Sequence, residues 1–277
     1  MERKNSFLTF AIIGILAVAP LCAQNYTALV DSASHYMEVD SLAEAADCLK
    51  RAIACDSGNK NNVLLLTNLG SIQCRQGLLK EAVESYSLAL NYRPLAMPIL
   101  LARAAVYLEL DNEEKAYVDY CNVLDQDIDN QEALLFRAYI AVHQHAYDIA
   151  RADYTRLLRL DPQNENGRLG LALLSQKQLR LKEATEQLSS LVLDYPENPT
   201  YYIARADVLS DRGLFDLALL DFESALKIDA SDPYTYVSRA EMYLKMKKKR
   251  QAHKDLDQAV ALGLPQGTLS DLYKRCQ

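Results

Sequence analysis

The chain has 277 residues, half of them apolar, and 30 basic side chains stand against 37 acidic ones for a formal net charge of −7. That apolar share is enough for a continuous core and excludes a disordered chain. The acidic balance argues against a nucleic-acid partner, which would require a basic stripe.

Residues 1–23 read as a separate piece. Arg3 and Lys4 give a basic start, Phe7 to Leu21 is an uncharged apolar run, and Cys22-Ala23-Gln24 closes it. This is the pattern of a secretory signal peptide cut after Ala23, and the run is short for a membrane span. It predicts export across a bacterial inner membrane, with the periplasm as destination. Acylation of Cys22, anchoring the chain in the envelope, is the alternative; it meets a large residue, Leu21, where such signals prefer a small one. Membrane attachment is expected only in that case. The piece carries a net +1, so its removal takes the chain from −7 to −8.

Apolar spacing after this point is helical, without a useful strand-like alternation. A pattern set by Val63–Pro94 returns at Met97, Gln131, Glu165, Pro199 and Pro233, each step being thirty-four residues, and an earlier, looser unit begins near Tyr26 with three extra residues around Ser57 to Asn62. A small residue recurs first, as Ala33, Gly70, Ala104, Ala138, Ala172, Ala206 and Ala240. A second follows twelve residues later, as Ala45, Ala82, Ala116, Ala150, Ala184, Ala218 and Ala252. Helices approach closely only where such side chains face the partner. Larger apolar residues four on, such as Tyr86, Tyr120, Tyr154 and Phe222, complete one helix stripe. Gly77, Asp111-Asn112 and Gly213 mark turns between the small residues, and Pro94, Pro162, Pro196 and Pro265 stop the second helix. Each unit is therefore predicted to be a pair of antiparallel helices. Residues 266–277 follow as a terminal cap, with Thr268 capping a short helix that carries Leu269, Leu272 and Tyr273.

Leu66, Leu69-Gly70, Gln73, Ala82, Tyr86 and Pro94 resemble the tetratricopeptide repeat family, whose pattern over thirty-four residues is W-x2-L-G-x2-Y, then A-x3-F, then P. Leu66 stands where the family often has tryptophan, a residue this chain lacks, and Gln73 where tyrosine is common. The resemblance implies an all-α, right-handed α-solenoid of about seven helix-turn-helix units over residues 24–265, with a short capping helix. It also implies that the first helix of each pair lines a concave face. Carried over by register, that lining is Val30, Met37, Thr67, Ser71, Leu101, Leu108, Leu135, Tyr139, Leu169, Leu173, Ile203, Asp207, Val237 and Glu241. The aliphatic members serve equally well as packing between neighbouring first helices, whereas Tyr139, Asp207 and Glu241 suit exposed contacts better. Some family members clamp a peptide carboxylate with lysine and asparagine, which this lining lacks. An apolar-anchored helix or extended segment is the expected occupant.

Four units carry arginine before the first small residue and aspartate sixteen residues later: Arg103 with Asp119, Arg137 with Asp153, Arg205 with Asp221, and Arg239 with Asp255. In the other units neither partner is present. The pattern predicts partly buried ion pairs between the two helices of a unit, rather than a ligand-binding arginine ladder, because every charge has its counter-charge. Cys48, Cys55, Cys74 and Cys121 read as small buried hydrophobes, and Cys276 as the most exposed thiol. Lys245 and Lys247 to Arg250 read as a solvated turn.

No HExxH, phosphate-cradling glycine loop or nucleophile elbow occurs, and His143 and His145 lie two apart, where a helix points them in different directions. The chain is expected to be no enzyme, with no cofactor and no metal. The first functional expectation is a protein- or peptide-binding scaffold of the cell envelope. The second is a small-molecule or glycan-binding component of an envelope uptake system, with tyrosines such as Tyr201, Tyr202, Tyr234 and Tyr236 taking the place of tryptophan.

Overall fold

The computed structural model describes residues 25–277, so the signal-like segment and Cys22 lie outside the described residues. The described residues form two compact units that divide between Ala133 and Leu134. All regular structure among them is helical.

The first unit holds α1 (residues 25–38), α2 (Leu42–Cys55), α3 (Asn62–Arg75), α4 (Leu79–Tyr92), α5 (Met97–Glu109), α6 (Glu113–Leu124) and the start of α7 (Gln131–His143). The second holds the rest of α7, then α8 (Tyr147–Leu160), α9 (Glu165–Lys177), α10 (Leu181–Asp194), α11 (Pro199–Asp211), α12 (Phe215–Ile228), α13 (Pro233–Lys245) and α14 (Lys249–Ala261). A 3-10 turn at Gln266–Leu269 leads into α15 (Ser270–Cys276). Odd-numbered helices up to α13 are the first members of helical hairpins, and the even-numbered ones are the second.

The two rows of small residues make these hairpins possible. All thirteen alanines in them are 0% exposed, and Gly70 is buried. At Gly70 the fit is tighter still, since a Cβ would lie 2.7 Å from the Tyr86 ring and the ring would have to shift. The large residues that follow, Tyr86, Tyr120, Tyr154, Leu188, Phe222 and Leu256, fill the space left beside the small ones and are buried in turn.

The turn inside each hairpin is more regular than its residues. Asp40, Gly77, Asp111, His145, Leu179, Gly213 and Lys247 all have left-handed backbone, with φ between 54° and 76°. They stand at one register, thirty-four residues apart after Gly77. Behind each, an amide returns to a carbonyl five residues earlier, as in Leu78 N to Gln73 O at 2.8 Å and Arg180 N to Ser175 O at 2.8 Å. This satisfies carbonyls that the helix end leaves open. Glycine or aspartate stands at four of these turns, three of which (Gly77, Asp111 and Gly213) the sequence signalled; His145, Leu179 and Lys247 carry no such signal and share the conformation because the repeat does.

The extra residues of the looser first unit lie in the α2–α3 connection. Asn62 is buried there, donating to the Asp56 carbonyl at 2.7 Å and accepting from the Tyr26 hydroxyl at 3.2 Å. At the other end Leu269 is buried, and Leu272, Tyr273 and Cys276 rest on the cluster of Ala240, Ala252, Leu256 and Ala259, so the terminal segment covers the last hairpin. Thr268 acts differently from expectation. Its hydroxyl donates to the Pro265 carbonyl at 2.7 Å, and α15 starts at Ser270 without a side-chain cap.

The cysteines need a correction as well. Cys48 is buried, but Cys55, Cys74 and Cys121 are half-buried, as is Cys276, and all five are thiols. No described helix is long and apolar enough to cross a membrane.

Candidate functional site

The sixteen-residue spacing brings arginine and aspartate together in every unit that has them. Arg103 Nε and Nη2 donate to the two Asp119 oxygens, both at 2.8 Å. The same two-pronged contact joins Arg137 to Asp153, Arg205 to Asp221 and Arg239 to Asp255, at 2.7–2.8 Å. The Asp119 side chain is 2% exposed and that of Arg103 20%, so the carboxylate is enclosed while the guanidinium keeps an edge to solvent. The hydrogen bonds that Arg205 donates to Asp221 and Arg239 to Asp255 hold each guanidinium pKa above its ordinary value. A contact not read from the sequence extends two of the pairs into the preceding hairpin: Arg103 Nη1 donates to Ser87 Oγ at 2.9 Å, and Arg205 Nη1 to Ser189 Oγ at 3.3 Å. With its donors committed in this way, the ladder is architecture. In the α3–α4 hairpin, one of those that lack it, the Gln73 amide and the Ser85 hydroxyl, 2.7 Å apart, bridge the two helices instead.

None of the fourteen first-helix lining residues is fully buried. Ser71, Tyr139, Leu173 and Glu241 are exposed, and Val30, Met37, Thr67, Leu101, Leu108, Leu135, Leu169, Ile203, Asp207 and Val237 are half-buried. Val30, Met37, Leu135, Leu169, Ile203 and Val237 also rest on core clusters, so packing explains part of their apolar character.

Within the second unit, Leu135, Tyr139, Leu169 and Leu173 meet at one cavity of about 690 Å³. Phe136, Val142, His143, His145, Tyr147, Tyr154, Asn166, Gly170 and Lys177 complete its walls. Ile203, Asp207, Val237 and Glu241 are outside it. The cleft forms because α9 has glycine where it crosses Tyr154 of α8. A Cβ on Gly170 would lie 2.4 Å from Tyr154 Cζ and 2.6 Å from its hydroxyl oxygen, so the phenol can lie against the α9 backbone. Burial, with smaller contributions from Tyr139 and Asp153, pushes the Tyr154 hydroxyl pKa up to about 12, which keeps it a proton donor in neutral solution.

Tyr139 leans on His143, their ring centroids 4.2 Å apart at 57°. His145, held in the left-handed turn, pairs through Nδ1 with the Tyr147 hydroxyl at 2.8 Å. The histidines therefore edge an aromatic wall. Lys177 and Asn166 join the cleft from the two ends of α9, outside the register positions of the lining, which itself holds neither residue type. Gly170, in a helix interior where glycine is unfavourable, was the sequence signal for the cleft.

On α11 and α13 the same face turns acidic. Asp211 accepts from Lys245 at 2.6 Å and from Gln176 at 2.8 Å. Lys245 is thereby tied down, while Lys247 and Lys248 are exposed in the turn between α13 and α14, and Lys249 and Arg250, expected in that turn, are exposed at the start of α14. Asp207 is half-buried, and its pKa is pushed up to about 7, mainly by burial and then by Glu241, with Lys245 and Ser238 opposing.

Comparison with known proteins agrees with this architecture. Residues 168–233 match the family model described as tetratricopeptide repeat. A tetratricopeptide repeat protein from Parabacteroides merdae is 30% identical, with a TM-score of 0.78 over 91% of this chain and 99% of that structure. Sperm-associated antigen 1 from Homo sapiens is 25% identical over 91% of this chain and 28% of its own length. A DnaJ homolog subfamily C member 7 homolog from Dictyostelium discoideum is 24% identical over 87% of this chain and 50% of its own. This chain thus spans half or less of those two curated relatives. The thirty-four-residue hairpins, their rows of buried alanines and the full-length match to the Parabacteroides merdae structure carry one conclusion: the chain belongs to the tetratricopeptide repeat family, as an α-solenoid with a C-terminal cap.

Proposed function

We propose that the chain is a non-enzymatic scaffold of a bacterial cell envelope that binds a segment of a partner protein on the first-helix face of its second unit. The observation that carries this reading is the α7–α9 cleft. Exposed Tyr139 and Leu173 border an apolar cavity, and an apolar pocket bordered by polar groups is what an anchoring side chain seeks. Family membership supports the scaffold role. The basic-then-apolar pattern of residues 1–23 and the similarity to a Parabacteroides merdae protein support an exported bacterial protein.

Affinity capture from an envelope extract tests this reading, with wild type and Leu173→Arg side by side. A defined protein retained by wild type and lost from Leu173→Arg agrees with it; equal retention contradicts it. Mass spectrometry of the exported protein separates an N-terminus at Gln24 from a lipid-modified Cys22.

A small-molecule or glycan-binding component of an envelope uptake system is the second reading. It is favoured by a cavity volume within the ordinary range of ligand pockets and by three tyrosines, Tyr139, Tyr147 and Tyr154, in the walls.

A further inference from the structure

Resting on the protein-binding reading above, we infer that the partner segment is graded in charge: it sets a large apolar side chain next to a carboxylate at the α7–α9 cleft, and a lysine or arginine at α11–α13. The cleft walls contain no aspartate or glutamate, although the chain has 37 acidic residues. Their ionisable members other than tyrosine are Lys177, His143 and His145, which are cationic or neutral, and the tyrosine hydroxyls and the Asn166 amide can donate to an oxygen anion. An acidic group beside the apolar anchor meets no carboxylate there and has donors to pair with.

Further along, the face changes sign. Tyr139, Leu173, Asp207 and Glu241 occupy one register of successive first helices, so the row runs from apolar to acidic. Asp211 is already engaged by Lys245 and Gln176. Asp207 is hydrogen-bonded to Ser238 and feels Lys245, yet among the described residues neither it nor Glu241 is in a salt bridge and the two repel each other, so a bound cation relieves that repulsion. Packed helices lie about 8–10 Å apart, so two steps from the cleft cover roughly 16–20 Å. At about 3.3 Å per residue, an extended segment spans that distance in about five or six residues. The occupant is therefore a short extended segment, with anchor and carboxylate at one end and a basic side chain about five or six residues away.

Selection of phage-displayed random dodecapeptides on the full chain tests this. Enriched peptides are expected to carry an aromatic or large aliphatic residue with aspartate or glutamate within two positions, and lysine or arginine about five or six away. Leu173 is exposed, so Leu173→Arg keeps the fold, checked by thermal melting, and is expected to lower recovery at least about tenfold, as loss of a central anchor does. Lys177→Glu, and separately Asp207→Asn with Glu241→Gln, are expected to lower it about three- to fivefold each, the scale of single exposed charge contacts. Peptides that lack the charge pattern yet are lost on Leu173→Arg overturn the graded-charge inference and leave the groove reading standing. Peptides recovered equally on Leu173→Arg, or no enrichment at all, overturn both.

Discussion

Gly170 lies directly under the phenol ring of Tyr154, so close that a Cβ would sit 2.4 Å from Cζ. The contact lets one side chain of α8 form a wall of the cleft between two first helices. Gly170→Ala forces Tyr154 out of place, and overpacking of this kind costs about 1–3 kcal/mol. Chemical denaturation is expected to show that loss. Combining Gly170→Ala with Tyr154→Leu should recover part of it, since the smaller side chain gives way. Equal, additive losses would mean that the two residues are not coupled.

The Arg205–Asp221 pair gives a second test. Asp221→Ala leaves a mostly enclosed guanidinium without its counter-charge, which costs about 2–3 kcal/mol, below the 3–5 of full burial because the Arg205 side chain is 21% exposed. Asp47→Ala, at the exposed Arg51–Asp47 pair on α2, is expected to cost less than about 0.5 kcal/mol. Urea midpoints of the two variants check the contrast.

Strain at the hairpin turns is open to direct measurement. Leu179 has φ 58° and is 81% exposed, so its side chain adds little while its backbone carries the penalty of left-handed conformation. Leu179→Gly is expected to raise stability by about 0.5–1 kcal/mol, and Gly213→Ala, at the same register with φ 76°, to lower it by about 1 kcal/mol. A melting temperature lowered by Leu179→Gly would contradict this reading of the turn.

Asp207 makes stability depend on pH in a definite direction. Its carboxyl keeps a proton up to about pH 7 in the fold but loses it near the ordinary value of 3.8 in the unfolded chain. Between those values the folded state holds more protons, so this group's contribution to stability falls as pH rises through the window. Glu241, Asp211, Lys245 and Ser238 face it and set the balance. Asp207→Asn is expected to match wild type near pH 4 and to exceed it by about 1–2 kcal/mol at pH 8, after allowance for solvent screening. An advantage equal at both pH values would contradict the assignment.

The architecture was legible because its cause repeats. A close helix pair needs a small residue at two places, and seven copies of that requirement stand out in the chain, as does the arginine–aspartate spacing. The cleft was only partly legible. Leu135, Tyr139, Leu169 and Leu173 follow from register, but a cavity depends on what is missing between helices, and the side chain missing at Gly170 has its effect through Tyr154 on another helix. His143, His145 and Lys177 reach the rim from helix ends and a turn, places that a stripe along first helices omits. The left-handed residues at His145, Leu179 and Lys247 were hidden for a related reason: the neighbouring hairpins fix their conformation against their own preference.

Photocrosslinking tests the central claim most directly. A photoreactive residue in place of Tyr139, in cells that make the protein at its natural level, is predicted to trap a defined protein, and the adduct should vanish when Leu173→Arg is added. The same residue in place of Leu193, 81% exposed on the second helix α10, is predicted to trap none of it. Equal adducts from both positions, or none from Tyr139, would contradict the cleft as the place where a partner binds.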